Sequence, residues 1–195
     1  MRLFVAMHPG TAVVAAAQQA IAELRTRAAT LAPGARITWI PPELMHLTVR
    51  FIGEVTEETA AAVATSLGHA LPASPFTLEA AGVGAFSNHG APRVIWGGLT
   101  SGTAELRRVE RLVSERLTAV GIPPDDREFT PHLTLGRVRD AAGLRTGALL
   151  AGLDRVPLGS GLVDAITLFQ SRLSPHGPTY VPLHRSVLSI DGVTN

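Results

Sequence analysis

The sequence predicts an α+β fold built on antiparallel sheet. Two observations carry that prediction. Amphipathic helical stretches alternate with short runs rich in β-branched and aromatic residues. Several of those runs also follow one another directly, which suits antiparallel neighbours rather than a doubly wound parallel sheet. Hydrophobic residues make up 46% and charged residues 17%, the balance of a globular chain rather than a disordered one.

The first strand is read at 2–7 (RLFVAM), short, apolar and buried, with Pro9 and Gly10 breaking the chain after it. From Thr11 onward Val14, Ala17, Ile21, Leu24, Ala28 and Leu31 recur at steps of three and four, one face of a helix that Pro33 and Gly34 end. Strands follow at 36–40 (RITWI), stopped by Pro41 and Pro42, and at 46–52 (HLTVRFI), ending at Gly53. Thr56 then suits an N-cap, with Glu57 and Glu58 in the first turn of a helix that reaches about Leu71. Strands are expected at 76–80 and 93–99, and the glycine-rich stretch 82–90 between them reads as a loop. A helix over about 103–120 carries Leu106, Val109, Leu112 and Leu117 on one face, with Gly121 placed to terminate it. After Pro123 and Pro124 comes a strand at 132–138, then a helix from about Asp140 to Leu153, and closing strands at 165–173 and 182–190. No shift of composition marks a linker, so 1–195 is expected to be a single domain.

Charge and residue usage exclude several classes. Lys and Arg number 17 against 16 Asp and Glu. A protein that grips long nucleic acid by charge alone has a stronger basic excess, whereas a short RNA end or a nucleotide needs only one or two cations at a phosphate. With no cysteine there are no disulfides, cysteine nucleophiles or thiolate metal sites. No stretch of about 18 apolar residues exists and the N-terminal run is too short for a signal peptide, so the expectation is a cytoplasmic protein without a membrane partner.

The chemistry lies in a short internal repeat. His46-Leu47-Thr48-Val49 returns as His132-Leu133-Thr134-Leu135, each copy after a proline-containing loop, each opening a strand and each followed by an arginine, Arg50 or Arg137. Alternate side chains of a strand share a face, so each His and Thr project together while Leu47, Val49, Leu133 and Leu135 point to the core. Two such strands side by side gather two imidazoles and two hydroxyls around one pocket. Opening a cyclic phosphodiester needs a base for water, an acid for the departing oxygen and donors for the non-bridging oxygens. Histidine titrates near neutrality and can fill both proton roles without metal or covalent nucleophile. By strand parity Arg137, five residues after His132, faces away from the histidine unless Gly136 introduces a bulge or ends the strand. Arg50 has the cleft parity and Phe51 the core parity.

On these residues the chain resembles the RNA 2′,3′-cyclic phosphodiesterase family of the two-histidine phosphoesterases. The likeness includes the segments 39–55 (WIPPELMHLTVRFIGEV), 93–99, 129–138 (FTPHLTLGRV) and 168–180 (LFQSRLSPHGPTY). The resemblance implies two pseudo-symmetric lobes, each an antiparallel sheet with outer helices, around a central cleft. It implies that His46 protonates the ribose 3′ oxygen, that His132 activates water, that Thr48 and Thr134 bind phosphate with help from Arg137, and that the product is a 2′-phosphomonoester. It also places the loop carrying His176 and Tyr180 near the cleft, where Tyr180 suits stacking on a base. The partners implied are RNA ends or cyclic-phosphate nucleotides; no cofactor and no metal are expected, and a monomer suffices because one chain completes the site. The rival readings are a 2′–5′ RNA ligase working on the same site and a non-catalytic RNA-end or nucleotide-binding module, against which two intact histidines speak.

Other residues carry plainer readings. His8 suits a surface turn, His69 a solvated helix end, His89 a glycine-rich loop and His184 a strand without an evident partner. Trp39 and Trp96 read as core, and Arg107, Arg108 and Arg111 as a solvated basic helix face.

Overall fold

The structure, a computed structural model, describes residues 1–126, 128–175 and 177–189. The chain runs through β1 (Arg2–Met7), α1 (Thr11–Leu31), β2 (Arg36–Trp39), a one-turn 3₁₀ helix (Pro42–Leu44), β3 (Leu47–Glu54) and α2 (Glu57–Ser66). It continues through β4 (Phe76–Asn88), β5 (Ala91–Ser101), α3 (Thr103–Thr118), β6 (Leu133–Asp140), α4 (Thr146–Leu150), β7 (Pro157–Val163), β8 (Ala165–Ser174) and β9 (Gly177–Val187).

The antiparallel α+β class holds, and the two expected sheets are halves of one curled sheet in the order β7-β4-β5-β6-β3-β1-β8-β9, with β2 beside β6. The halves meet where β3 and β6, the two motif strands, pair antiparallel at Leu47 and Leu133. The helices cross between halves. α1 leaves β1 and packs on β7 and α4 of the other half, while α3 leaves β5 and packs on β3. One hydrophobic cluster therefore spans both halves, with Leu3, Leu24, Leu47, Ile95, Leu106 and Leu133 at its centre, each at most 1% exposed. Thr56 caps α2 as expected, its hydroxyl accepting from the Thr59 N–H at 3.1 Å.

Three local expectations are corrected. The stretch 82–90 is not a loop: β4 continues to Asn88 and turns only at His89 and Gly90. Gly84 is there for packing, because a Cβ on it would lie 2.3 Å from the Trp96 ring. The strand β7 has no counterpart among the expected strands; it is a sheet edge whose Gly161 sits against the Pro9 carbonyl, where a Cβ would come within 2.0 Å. The helix expected over 140–153 shrinks to α4, because β6 runs to Asp140 and a turn with positive φ at Ala142 and Gly143 follows it.

Candidate active site

Each motif histidine is fixed by the chain that leads into its strand. The carbonyl of Leu44, in the 3₁₀ turn, accepts from His46 Nδ1–H at 2.8 Å, and the carbonyl of Thr130 accepts from His132 Nδ1–H at 2.8 Å. A carbonyl only accepts, so the neutral ring carries its proton on Nδ1 and keeps the Nε2 lone pair free. The partner lies two residues upstream in both cases, so the repeat extends beyond the motif to its approach. Continuing the Leu47–Leu133 register by one residue each way sets His46 across from Thr134 and Thr48 across from His132. The two imidazoles and two hydroxyls thus share one face at the seam of the sheet.

The parity of Arg137 is resolved by a bulge. In the β5–β6 ladder Trp96 pairs with Thr134 and Ile95 with Gly136, leaving Leu135 as an extra residue. Leu135 and Gly136 both turn to the core, and Arg137 returns to the cleft face, exposed, opposite Val94. Among the described residues its guanidinium has no hydrogen bond or ion pair. Gly136 permits this: a Cβ would lie 2.8 Å from the Trp39 ring. We expect Gly136→Ala to lose about 1–3 kcal/mol of stability by crowding Trp39, read as a lower Tm in thermal denaturation.

The first motif repeats the bulge with a different outcome. Ala6 pairs with Thr48 and Val5 with Arg50, so Val49 is the extra residue. This reverses two parity readings. Arg50 is buried at 6% exposure, donates to the Pro123 carbonyl and lies 3.8 Å from Asp125. Phe51 is not core; it stands 40% exposed on the cleft face with the Arg2 guanidinium 5.2 Å from its ring centre. The same position after the histidine therefore holds an aromatic ring in one half and a cation in the other.

Aromatic rings wall both histidines. His46 lies 5.1 Å from Phe4 and 5.2 Å, edge-on, from Tyr180. His132 lies 5.1 Å from Phe86, also edge-on, and Phe86 leans on Trp96 at 5.6 Å. Phe4 and Phe86 have no counterpart among the residues singled out in the sequence, and Trp96, expected in the core, is only partly buried; in β1 the spacing of Arg2, Phe4 and Ala6 by two is the available signal. Burial pushes the His46 imidazole below its ordinary range, against the pull of its Leu44 hydrogen bond, and the positive charges of Arg137 and His132 push the same way. Burial raises the Tyr180 phenol, while Arg137 and Arg2 oppose it. Arg137 is therefore close enough to act electrostatically on both groups at the His46 end.

The model of the LigT-like phosphoesterases matches residues 12–96 and 99–180, one motif copy in each segment. The chain belongs to the LigT-like phosphoesterase family. An RNA 2′,3′-cyclic phosphodiesterase of Aeropyrum pernix is 39% identical over 152 residues, 77% of this chain and 86% of the relative. Among solved structures, TT0787 of Thermus thermophilus superposes with a TM-score of 0.76 at 30% identity, over 96% of this chain and 98% of that one. Escherichia coli LigT, solved with 3′-AMP, superposes with a TM-score of 0.71 at 25% identity over the same shares.

Within this LigT-like frame the remaining candidates divide. Tyr180 is on β9, not in a loop, and touches His46. His8 lies beside the His46 end, its Nδ1 accepting from the Gly10 N–H at 3.1 Å. His89 sits at the β4–β5 turn, its carbonyl held by Arg145, and the His69 carbonyl accepts from Arg116. His184, on β9, pairs with Leu168 of β8, and among the described residues its buried Nε2 has no hydrogen-bond partner. Arg107 and Arg108 bind the carbonyls of Phe129 and Pro72 and so brace the fold. His176 lies outside the described residues. Among the described residues no three His, Asp or Glu side chains gather into a metal-binding group, and no helix is long and apolar enough to cross a membrane.

Proposed function

We propose that the chain hydrolyses RNA 2′,3′-cyclic phosphate ends to 2′-phosphomonoesters by acid–base catalysis with two histidines. One observation carries the reading: two imidazoles, each held through Nδ1 with Nε2 free, share a sheet face with two threonine hydroxyls and with Arg137, whose charge is unpaired among the described residues. Relatives named RNA 2′,3′-cyclic phosphodiesterase support it.

The phosphate rests between the motifs. Thr48 and Thr134 hydroxyls donate to its non-bridging oxygens, and Arg137 supplies charge and a forked donor. His132 Nε2 takes a proton from water as the water oxygen bonds to phosphorus. The bond from phosphorus to O3′ breaks, and His46 Nε2–H gives its proton to O3′. The 2′ linkage survives, leaving a 2′-phosphomonoester and a free 3′ hydroxyl; proton exchange with solvent restores both rings. In the free protein burial, joined by the charges of Arg137 and His132, holds the His46 imidazole below the ordinary range and favours its neutral form. An anionic phosphate entering beside it offsets Arg137 and favours the protonated ring, so substrate prepares its own acid. Tyr180 and Phe4 hold the ring in place.

The partners are RNA ends or nucleotides bearing a cyclic phosphate, met by one copy of the chain in the cytoplasm. No step calls on a metal. An oligoribonucleotide ending in a 2′,3′-cyclic phosphate is therefore expected to be opened at an undiminished rate in EDTA. Loss of activity in EDTA that a divalent ion restores would contradict the mechanism.

A further inference from the structure

The two histidines open onto different cavities. Beside His46 is a small one of about 130 Å³, walled by Phe169 and Tyr180, with Glu43, Thr167 and His8 at its polar edge. Beside His132 is a larger cleft of about 480 Å³, lined by Phe51 and Phe86 and by the carboxylates Glu110, Asp125 and Glu128. The asymmetry matters because the substrate is asymmetric. The leaving O3′ belongs to the ribose that carries the terminal base, so sugar and base must lie on the acid's side of phosphorus. Water attacks from the other side.

We propose that the cavity beside His46 is the subsite for the terminal nucleobase and that Glu43 makes it select bases bearing an exocyclic amino group over uracil. The inference rests on the reading of His46 as the acid. Its volume suits one base. Phe169 and Tyr180 supply ring faces, on which any base stacks. The polar edge supplies the discrimination. Glu43 is exposed in the 3₁₀ turn and, among the described residues, has no hydrogen bond or ion pair, so its carboxylate is a free acceptor. His8 spends Nδ1 on the Gly10 N–H, which leaves Nε2–H as a donor. An acceptor beside a donor matches the amino group and ring nitrogen of cytosine or adenine. Uracil presents a carbonyl where cytosine has its amino group, and that carbonyl faces a carboxylate.

The test compares cytidine and uridine 2′,3′-cyclic monophosphates, which differ only at the edge Glu43 reads. kcat/KM is measured for both with wild type, Glu43→Gln, and the doubly substituted Phe51→Ala/Phe86→Ala, and the product phosphate position is assigned by NMR. Wild type is expected to favour cytidine on the order of ten-fold, the scale of one polar edge contact. Glu43→Gln, which offers an amide NH₂ as readily as a carbonyl, should bring the ratio toward one, while the Phe51/Phe86 variant should keep it. A wild-type ratio near one, or a ratio that Glu43→Gln leaves unchanged, overturns the subsite. If the Phe51/Phe86 variant abolishes the ratio instead, the base lies on the His132 side. Because the base lies on the acid's side of phosphorus, that outcome overturns His46 as the acid together with the subsite; a 2′-phosphate product then shows that the hydrolysis itself stands, and a 3′-phosphate product that its leaving group was wrong as well.

Discussion

His46→Ala and His132→Ala are each expected to lower kcat/KM for a cyclic-phosphate RNA end by about 10²–10⁴-fold, the contribution of a positioned proton donor or acceptor. Neither ring holds the sheet together. Each opens its strand rather than filling the core, and the seam pairing of Leu47 with Leu133 does not involve an imidazole. The two variants should differ in stability. His132 is half-buried beside the Phe86 ring, so its loss should leave Tm near wild type. His46 packs between Phe4 and Tyr180, and its loss leaves a gap that lowers Tm modestly while circular dichroism stays native. The double variant should be hardly slower than either single one, because acid and base act in one step. A single variant retaining most of its activity with a native Tm contradicts the assignment.

Arg137→Gln is the second large effect, with two separate readouts. Turnover should fall by about 10²–10³-fold, as when a charge-stabilising donor is removed from a catalytic site. Arg137→Lys should recover part of it, having the charge without the fork. The free protein should change as well. Arg137 destabilises the protonated form of His46, so removing its charge must raise the His46 pKa toward the ordinary histidine range. The sign is unambiguous, and an NMR titration of the His46 ring reads it without substrate. A His46 resonance that titrates unchanged in Arg137→Gln would place the guanidinium too far away to reach a phosphate held between the histidines.

How far the sequence foretold this site depended on where strand periodicity held. Period-two alternation groups His46 with Thr48 and His132 with Thr134, and burial alternates over those residues. It failed one residue later in both, at Val49 and Leu135, where an extra residue turns the next two positions over. Arg50 and Phe51 were consequently assigned to each other's faces, while the glycine at 136 had already raised the question for Arg137. A β-branched Val49 gives no comparable warning. Glycine also misled, at 82–90: there it marks close packing under Trp96 rather than a loop, and only the neighbouring strand reveals that. The asymmetry between the two histidines was not legible at all. The motifs are nearly identical, and what separates them is the company brought by distant strands: Tyr180 from β9 and Phe86 from β4.

The position of the phosphate left after hydrolysis tests the account most directly. An oligoribonucleotide with a 2′,3′-cyclic phosphate end, incubated with the wild-type protein and read by phosphorus NMR, should yield the 2′-phosphomonoester and no 3′ isomer. That result requires the bond from phosphorus to O3′ to break, the departure that the account sets beside His46 with water entering beside His132. A 3′-phosphomonoester, or a cyclic end left intact by protein with both histidines in place, would contradict it.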